Sequence, residues 1–180
     1  RLTDSALRII ASRCPFLSSL CVRGCRRITD AGLLHLSSLL IVDKFYNGKG
    51  SLVELDVGMT RAKATGIVAM LNLAVSKFSG GKVDLKVLAC AGSGQSWDDG
   101  LMMMLGDRLS GKIKCINFAC SNNFAGNNTV TDDGIRALMA GDKCCLEEVC
   151  LTGFKRFSGE AVVRILEASA KIVKFEVGFC

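Results

Sequence analysis

The chain has 180 residues, a hydrophobic content of 49% and a net charge of +6. This length and apolar content are sufficient for one continuous core, and a single proline leaves no stiff linker between domains. No apolar run reaches about 18 residues, so the sequence predicts no membrane-spanning helix. We therefore expect one domain over 1–180.

A short pattern with apolar residues at positions i, i+3 and i+5 recurs six times. The copies are Leu17-Leu20-Val22, Leu52-Leu55-Val57, Leu85-Leu88-Cys90, Ile113-Ile116-Phe118, Leu146-Val149-Leu151 and Ile172-Phe175-Val177. Because side chains alternate along a strand, the middle residue of each copy is predicted to point inward and its two neighbours outward. One such strand cannot bury its apolar face alone, so the copies are predicted to stack into a parallel sheet.

A second element lies between the strands, where polar residues at a helix start precede apolar residues with helical spacing. Its copies occupy 3–7, 29–33, 64–67, 97–101, 131–135 and 158–162. Thr, Ser and Asp at a helix start accept hydrogen bonds from free backbone N–H groups, and acids suit the positive end of the helix dipole. The pairs Asp98-Asp99 and Asp132-Asp133 are therefore interpreted as helix caps rather than metal ligands.

The stretch from Cys14 to Leu33 reads Cys-x-x-Leu-x-x-Leu-x-Val-x-x-Cys-x-x-Ile-Thr-Asp-Ala-Gly-Leu. It resembles the cysteine-containing subclass of leucine-rich repeat found in F-box proteins, the substrate receptors of cullin-type ubiquitin ligases. The resemblance implies an α/β solenoid of about six repeats, with a curved parallel sheet on the concave side and helices on the convex side. The chain departs from the family pattern because no F-box-like segment precedes the repeats, and the ninth-position cysteine recurs only as Cys25 and Cys180.

The resemblance implies a non-catalytic protein–protein interaction module, the substrate-recognition domain of an F-box-type ubiquitin ligase receptor. Its partners would be a cullin-type adaptor and a substrate. The alternative is a structural scaffold subunit whose partners are neighbouring subunits of a large assembly. Because the chain opens at a helix start and stops directly after a strand, we expect it to be part of a longer protein.

Ten cysteines are present, but the sequence favours reduced thiols over disulfides or zinc. Disulfide-rich secreted scaffolds are usually much shorter, and the chain has no Cys-x-x-Cys pair and only one histidine, His35. A reducing location, cytoplasmic or nuclear, is therefore expected, with no metal and no cofactor. With one histidine and no nucleotide-binding loop, no catalytic set can be assembled, so an enzyme is not predicted.

The outward strand positions are predicted to form the binding surface. The candidates on this concave face are Glu54, Asp56, Asn117, Glu148, Thr152, Lys174 and Glu176. Its centre is small and nearly uncharged, and acids flank it on both sides, which favours a partner segment carrying basic residues. Insertions between repeats map to rim loops. The candidate contacts there are Phe45, Tyr46 and Phe124.

The positive charge is concentrated in the first 63 residues, which hold ten basic and five acidic side chains. This excess raises a further alternative, contact with RNA or an anionic lipid surface. Nucleic acid is disfavoured because aromatic residues make up only 6% of the chain and do not interleave the basic ones.

Overall fold

The computed structural model describes residues 2–40, 52–77, 83–92, 96–109, 113–119, 129–140, 145–156 and 158–178. Six helices alternate with six strands in these ranges. In chain order they are α1 (Asp4–Arg13), β1 (Ser19–Cys21), α2 (Asp30–His35), β2 (Glu54–Asp56), α3 (Ala64–Lys77), β3 (Val87–Ala89), α4 (Asp99–Leu109), β4 (Cys115–Asn117), α5 (Asp132–Met139), β5 (Glu148–Cys150), α6 (Gly159–Ala168) and β6 (Lys174–Glu176). A short 3-10 helix, Leu36–Leu39, continues α2. None of the helices in these ranges has the length and apolarity needed to cross a membrane.

The strands form one parallel sheet in the order β1-β2-β3-β4-β5-β6, so each strand pairs with the next along the chain. The register aligns equivalent residues of successive units, and the middle residues Leu55, Leu88 and Ile116 face one another. The helices also pack in chain order. The predicted α/β class and the parallel sheet are confirmed, and the arrangement is compatible with a solenoid. The assignment to leucine-rich repeats stays a prediction.

The middle residue of each strand points into the core that the sheet shares with the helices. Leu55, Leu88 and Ile116 are at most 1% exposed, and the helical residues Ile67 and Ile135 are fully buried. Each side chain of this size contributes roughly 1.5–3 kcal/mol when it is completely buried. The two flanking residues of each strand lie on the opposite face, as strand alternation requires.

The helices are joined to one another at their N-termini by aspartates. The Asp4 carboxylate of α1 accepts hydrogen bonds from the Thr29 N–H at 2.8 Å and from the Thr29 hydroxyl at 2.7 Å. Asp132 of α5 accepts the same pair of bonds from Ser158, both at 2.6 Å. An aspartate at the first residue of one helix thus caps the start of the next helix. We call these contacts the aspartate bridges.

The aspartate bridges correct the simpler interpretation of these acids as caps of their own helices. They join α1 to α2, α2 to α3, α4 to α5 and α5 to α6, through Asp4, Asp30, Asp99 and Asp132. Between α3 and α4 the described residues hold no bridge, because the first residue of α3 is Ala64. Among the aspartates that the structure describes, only Asp98 caps its own helix, by accepting the Leu101 N–H at 2.8 Å.

In α2 and α5, glycine at the third helical position makes room for the aspartate of the preceding unit. A Cβ atom at Gly32 would collide with the Asp4 carboxylate, and one at Gly134 would collide with Asp99. In α4 the helix begins one residue later than the repeated sequence pattern suggests. Asp99, rather than Asp98, therefore occupies the bridging position.

In the described ranges, four residues that each follow a strand by three positions adopt a left-handed backbone. They are Gly24 (φ 77°), Met59 (φ 56°), Gly92 (φ 68°) and Gly153 (φ 90°). This conformation is cheap for glycine and costly for a residue with a Cβ atom. Met59 is therefore the exception within a repeated turn that leads the chain away from the sheet.

Candidate functional site: the exposed face of the sheet

The register arranges the outward side chains in two rows that cross all six strands. The first row is Ser19, Glu54, Val87, Cys115, Glu148 and Lys174. The second row is Cys21, Asp56, Ala89, Asn117, Cys150 and Glu176. Because both rows lie opposite the core, we call this surface the outer face.

All seven predicted residues of the binding surface lie on the outer face or at its edge. Glu54, Glu148, Lys174 and Glu176 are exposed, whereas Asp56, Asn117 and Thr152 are half-buried. Thr152 lies two residues beyond β5, at the strand-end edge. The three rim residues Phe45, Tyr46 and Phe124 lie outside the described residues.

At the first two strands, Asp56 is held by three neighbours. Its carboxylate lies 3.6 Å from the Arg23 guanidinium and accepts the Gly58 N–H at 2.8 Å. The Cys21 thiol on the adjacent strand donates to the same carboxylate at 3.9 Å. The Asp56 side chain is thus oriented by its own turn. No comparable set of partners contacts the neighbouring Glu54 in the described structure.

Asn117 occupies the same strand-end position in β4 and makes the same local contact. Its side-chain oxygen accepts the Ala119 N–H at 3.2 Å, as Asp56 does for Gly58. Such contacts stabilise the turn after the strand. Both residues therefore have a structural role in addition to their predicted role in binding.

A thiol and a carboxylate face each other across β4 and β5. The Cys115 thiol donates to the Glu148 carboxylate at 3.8 Å, and the two residues are direct register partners. Burial, together with the charge and hydrogen bond of Glu148, raises the pKa of Cys115 from its ordinary value of 9.0 to about 11. The thiol is therefore protonated at neutral pH and acts as a hydrogen-bond donor rather than a nucleophile.

A related cluster lies on β5 and β6. The Lys174 ammonium is 3.2 Å from the Glu176 carboxylate, and Cys150 is the register partner of Glu176. Hydrogen bonds from Cys150 and Lys174 lower the pKa of Glu176, and Glu176 in turn raises the pKa of Lys174. Both groups stay charged at neutral pH, so this edge presents an ion pair rather than an isolated acid.

The centre of the outer face is small and without formal charge. Val87, Ala89 and Asn117 are half-buried and stand between the acids of β2 and those of β5 and β6. A pit of about 20 Å³ opens between β4, β5 and β6, with Cys115, Glu148 and Lys174 in its wall. A space of this size holds a single water molecule.

The alternation rule already placed three thiols at outward positions, but sequence reasoning missed their pairing with carboxylates. Cys21, Cys115 and Cys150 stand at outward positions, and each has a carboxylate as its register partner on the next strand. An alignment of the six repeats would have revealed this pairing, because equivalent positions of adjacent units become neighbours in a parallel sheet. Within the described ranges, no group of three or more His, Cys, Asp or Glu side chains is placed to hold a metal ion.

Comparison with known proteins adds no family to this description: no protein-family model matches the chain, and no curated protein matches it significantly.

Proposed function

We propose that this chain is a leucine-rich repeat domain of the cysteine-containing subclass, and that its outer face binds another protein. The observation that carries the proposal is the pair of side-chain rows displayed on six parallel strands, opposite the core. Repeat proteins present extended surfaces of this kind, built from equivalent positions of successive units. The domain is proposed to act by binding rather than by catalysis.

The charges of the outer face favour a partner segment with basic residues. Asp56 and Glu176 are ion-paired with Arg23 and Lys174, which leaves Glu54 on one side of the small centre and Glu148 on the other to attract a partner. Complementary charge steers association and suppresses wrong partners more than it adds affinity. The small centre lets a partner backbone approach the sheet closely, so specificity would come from the acids on either side.

Within this class, the role we propose is that of the substrate-recognition domain of an F-box-type ubiquitin ligase receptor. Its support is the resemblance of the stretch from Cys14 to Leu33 to that subclass. Exposed free thiols at Cys14 and Cys21 suit a reducing compartment, cytoplasmic or nuclear. The partners would be a cullin-type adaptor, bound by the full-length protein, and a substrate bound by the outer face.

Affinity capture of the full-length protein from its native cells, followed by mass spectrometry, tests this proposal. We expect a cullin-type adaptor and one or more substrates, and we expect Glu148→Lys to lose the substrates while keeping the adaptor. Glu167→Lys is the matched control, because Glu167 is also exposed but belongs to α6. Capture without any adaptor would overturn the ligase role, and equal capture by both variants would overturn binding through the outer face.

The second candidate is a structural subunit of a large assembly. The observation that favours it is the exposure of large apolar side chains beside the first and last strands, where Phe16 is 69% and Val173 is 82% exposed. Apolar residues at such positions suit a permanent neighbour. A fixed set of stoichiometric subunits in the capture experiment would support this candidate, and a free monomer would exclude it.

A further inference from the structure

A cavity of about 710 Å³ lies at the strand-end edge of the first repeats, beside the outer face. Its wall is formed by Arg26, Thr29, Asp30, Met59, Thr60, Arg61, Lys63 and Gly92. The volume falls within the roughly 300–1,000 Å³ that is typical of ligand sites. The residues come from the segments that follow β1, β2 and β3, so the cavity exists only in the folded chain.

Three basic side chains converge on this cavity. Arg26, Arg61 and Lys63 are exposed, and no ion pair engages any of them in the described part of the chain. Among the described residues of the wall, Asp30 is the one acid, and its carboxylate accepts the Lys63 N–H at 2.6 Å and the Thr65 hydroxyl at 3.5 Å. With three basic side chains and one carboxylate, the described wall of the cavity carries a net positive charge.

The backbone that carries these side chains is fixed by hydrogen bonds. The Arg61 N–H donates to the Ile28 carbonyl at 2.9 Å, and the Met59 N–H donates to the Ala91 carbonyl at the same distance. The buried Thr60 hydroxyl donates to the Val57 carbonyl at 2.7 Å. Because these bonds already order the main chain, a ligand that binds here loses less free energy to ordering of the site.

Met59 adds a second observation. It adopts the left-handed turn conformation that is filled by glycine at the other three described turns, and its side chain lies in the cavity wall. Residues held in such strained conformations cluster at binding sites. Met59 gives this otherwise basic cavity an apolar surface, which suits an amphipathic ligand better than a bare inorganic anion.

We propose that this cavity binds an acidic side chain, a carboxylate or a phosphate, of the same partner segment that crosses the outer face. A planar guanidinium pairs with either group through two parallel hydrogen bonds. Among the wall residues that the structure describes there is no aromatic ring on which a nucleobase would stack, which disfavours a nucleic acid. This inference rests on the proposed protein-binding function and deepens it.

The proposal gives the bound segment a direction. Glu54 on β2 attracts basic residues, whereas Arg26, Arg61 and Lys63, at the end of the same units, attract acidic ones. A segment with basic residues followed by acidic residues can bind in one orientation only, because reversal would place like charges together.

The test uses the methyl group of Met59 as a reporter. The protein has six methionines, so selective ¹³C-methyl labelling gives a simple NMR spectrum, with Met59 assigned from Met59→Leu. We would titrate acetyl-tetraglutamate amide, acetyl-tetraglutamine amide, a phosphoserine tripeptide and a decamer of uridine. We expect the Met59 signal to shift with one or both acidic peptides and not with the glutamine peptide, while Met103 on α4 stays unchanged. The stronger acidic peptide identifies carboxylate or phosphate as the preferred group.

The controls are charge-neutral variants of exposed arginines. Arg61→Gln and Arg26→Gln should each weaken binding about tenfold, as expected for loss of a charged hydrogen bond. Arg8→Gln, on α1 and outside the cavity wall, should leave binding unchanged. No shift with either acidic peptide, an equal response in Arg61→Gln, or a stronger response to the uridine decamer would overturn the proposal. Because no natural partner is used, this result is independent of the capture experiment.

Discussion

The carboxylate of Asp99 in α4 accepts two hydrogen bonds from Thr131 at the start of α5. One comes from the backbone N–H and the other from the hydroxyl, each at 2.7 Å. The Thr131 hydroxyl also accepts the Asp133 N–H of its own helix at 3.2 Å. A single threonine thus caps its helix while it is held by the preceding one, which couples the start of one repeat to the position of its neighbour.

Removing this aspartate bridge should destabilise the fold. Asp99→Ala is expected to lower the free energy of unfolding by about 1.5–3 kcal/mol, because the bonds to the ionised carboxylate are lost at a half-buried site. Urea denaturation followed by circular dichroism measures this change. Thr131→Val combined with Asp99→Ala should cost less than the sum of the two single changes, since both remove the bond between the Thr131 hydroxyl and the Asp99 carboxylate. Strict additivity would contradict the bridge.

The left-handed turns predict opposite effects at two equivalent positions. Gly24→Ala should destabilise by roughly 1–2 kcal/mol from backbone strain alone, because a Cβ atom there meets nothing within 4 Å. Met59→Gly should stabilise by about 0.5–1 kcal/mol, as the relief of strain exceeds the added backbone entropy of glycine in the unfolded chain. Urea midpoints of the two variants test the pair. Changes of the same sign would contradict the shared turn.

The bridge between α5 and α6 predicts a pH dependence. The Ser158 hydroxyl and then the Ser158 N–H lower the pKa of Asp132. A carboxyl whose pKa is lower in the folded state stabilises the fold above its unfolded value of about 3.9, and this stabilisation is lost as pH falls through the folded value. The difference in Tm between the natural protein and Asp132→Asn should therefore be largest near neutral pH and should shrink towards zero in acid.

Thermal melts across the acidic range provide the check for Asp132. Glu167→Gln, on the exposed surface of α6, serves as the control that reports general charge effects. A Tm difference for Asp132→Asn that is constant from neutral to acidic pH would mean that the ionised carboxylate is not the stabilising form.

The outer face predicts an unreactive thiol. Because the pKa of Cys115 is about 11 rather than 9.0, its thiolate is about 100-fold rarer in mildly alkaline solution than that of an ordinary cysteine. Alkylation by iodoacetamide, followed at each cysteine-containing peptide by mass spectrometry, should modify Cys115 slowly. Glu148→Gln should accelerate it several-fold by removing the negative charge, whereas Glu54→Gln, in the same row on β2, should not. Equal rates in the two variants would contradict the pairing.

The strand positions were predictable because their periodicity is local. Leu88 points inward and Ala89 outward for the same reason in the sequence as in the structure: strand side chains alternate, and only one face can be covered by helices. The outward candidates, such as Glu148 and Lys174, followed from the same rule. The rim residues Phe45, Tyr46 and Phe124 stay predictions, since they lie outside the described residues.

The aspartates show the limit of that reasoning. From the sequence alone, Asp132 is equally suited to cap its own helix or the next one, because an acid at a helix start fits both roles. The structure assigns it to Ser158, 26 residues later. A helix start shifted by one residue in α4 likewise gave Asp99, and not Asp98, the bridging role.

The sequence by itself determined the α/β class, the parallel sheet and the two faces of each strand, because these depend on spacings within a unit of about thirty residues. Only the tertiary structure decided which side chains of different units meet. Cys115 faces Glu148, Asp99 binds Thr131, and Arg26 and Arg61 reach one cavity because stacking brings together positions far apart in the chain. The pKa of Cys115 and the net positive charge of the cavity arise from those contacts, so no single repeat encodes them.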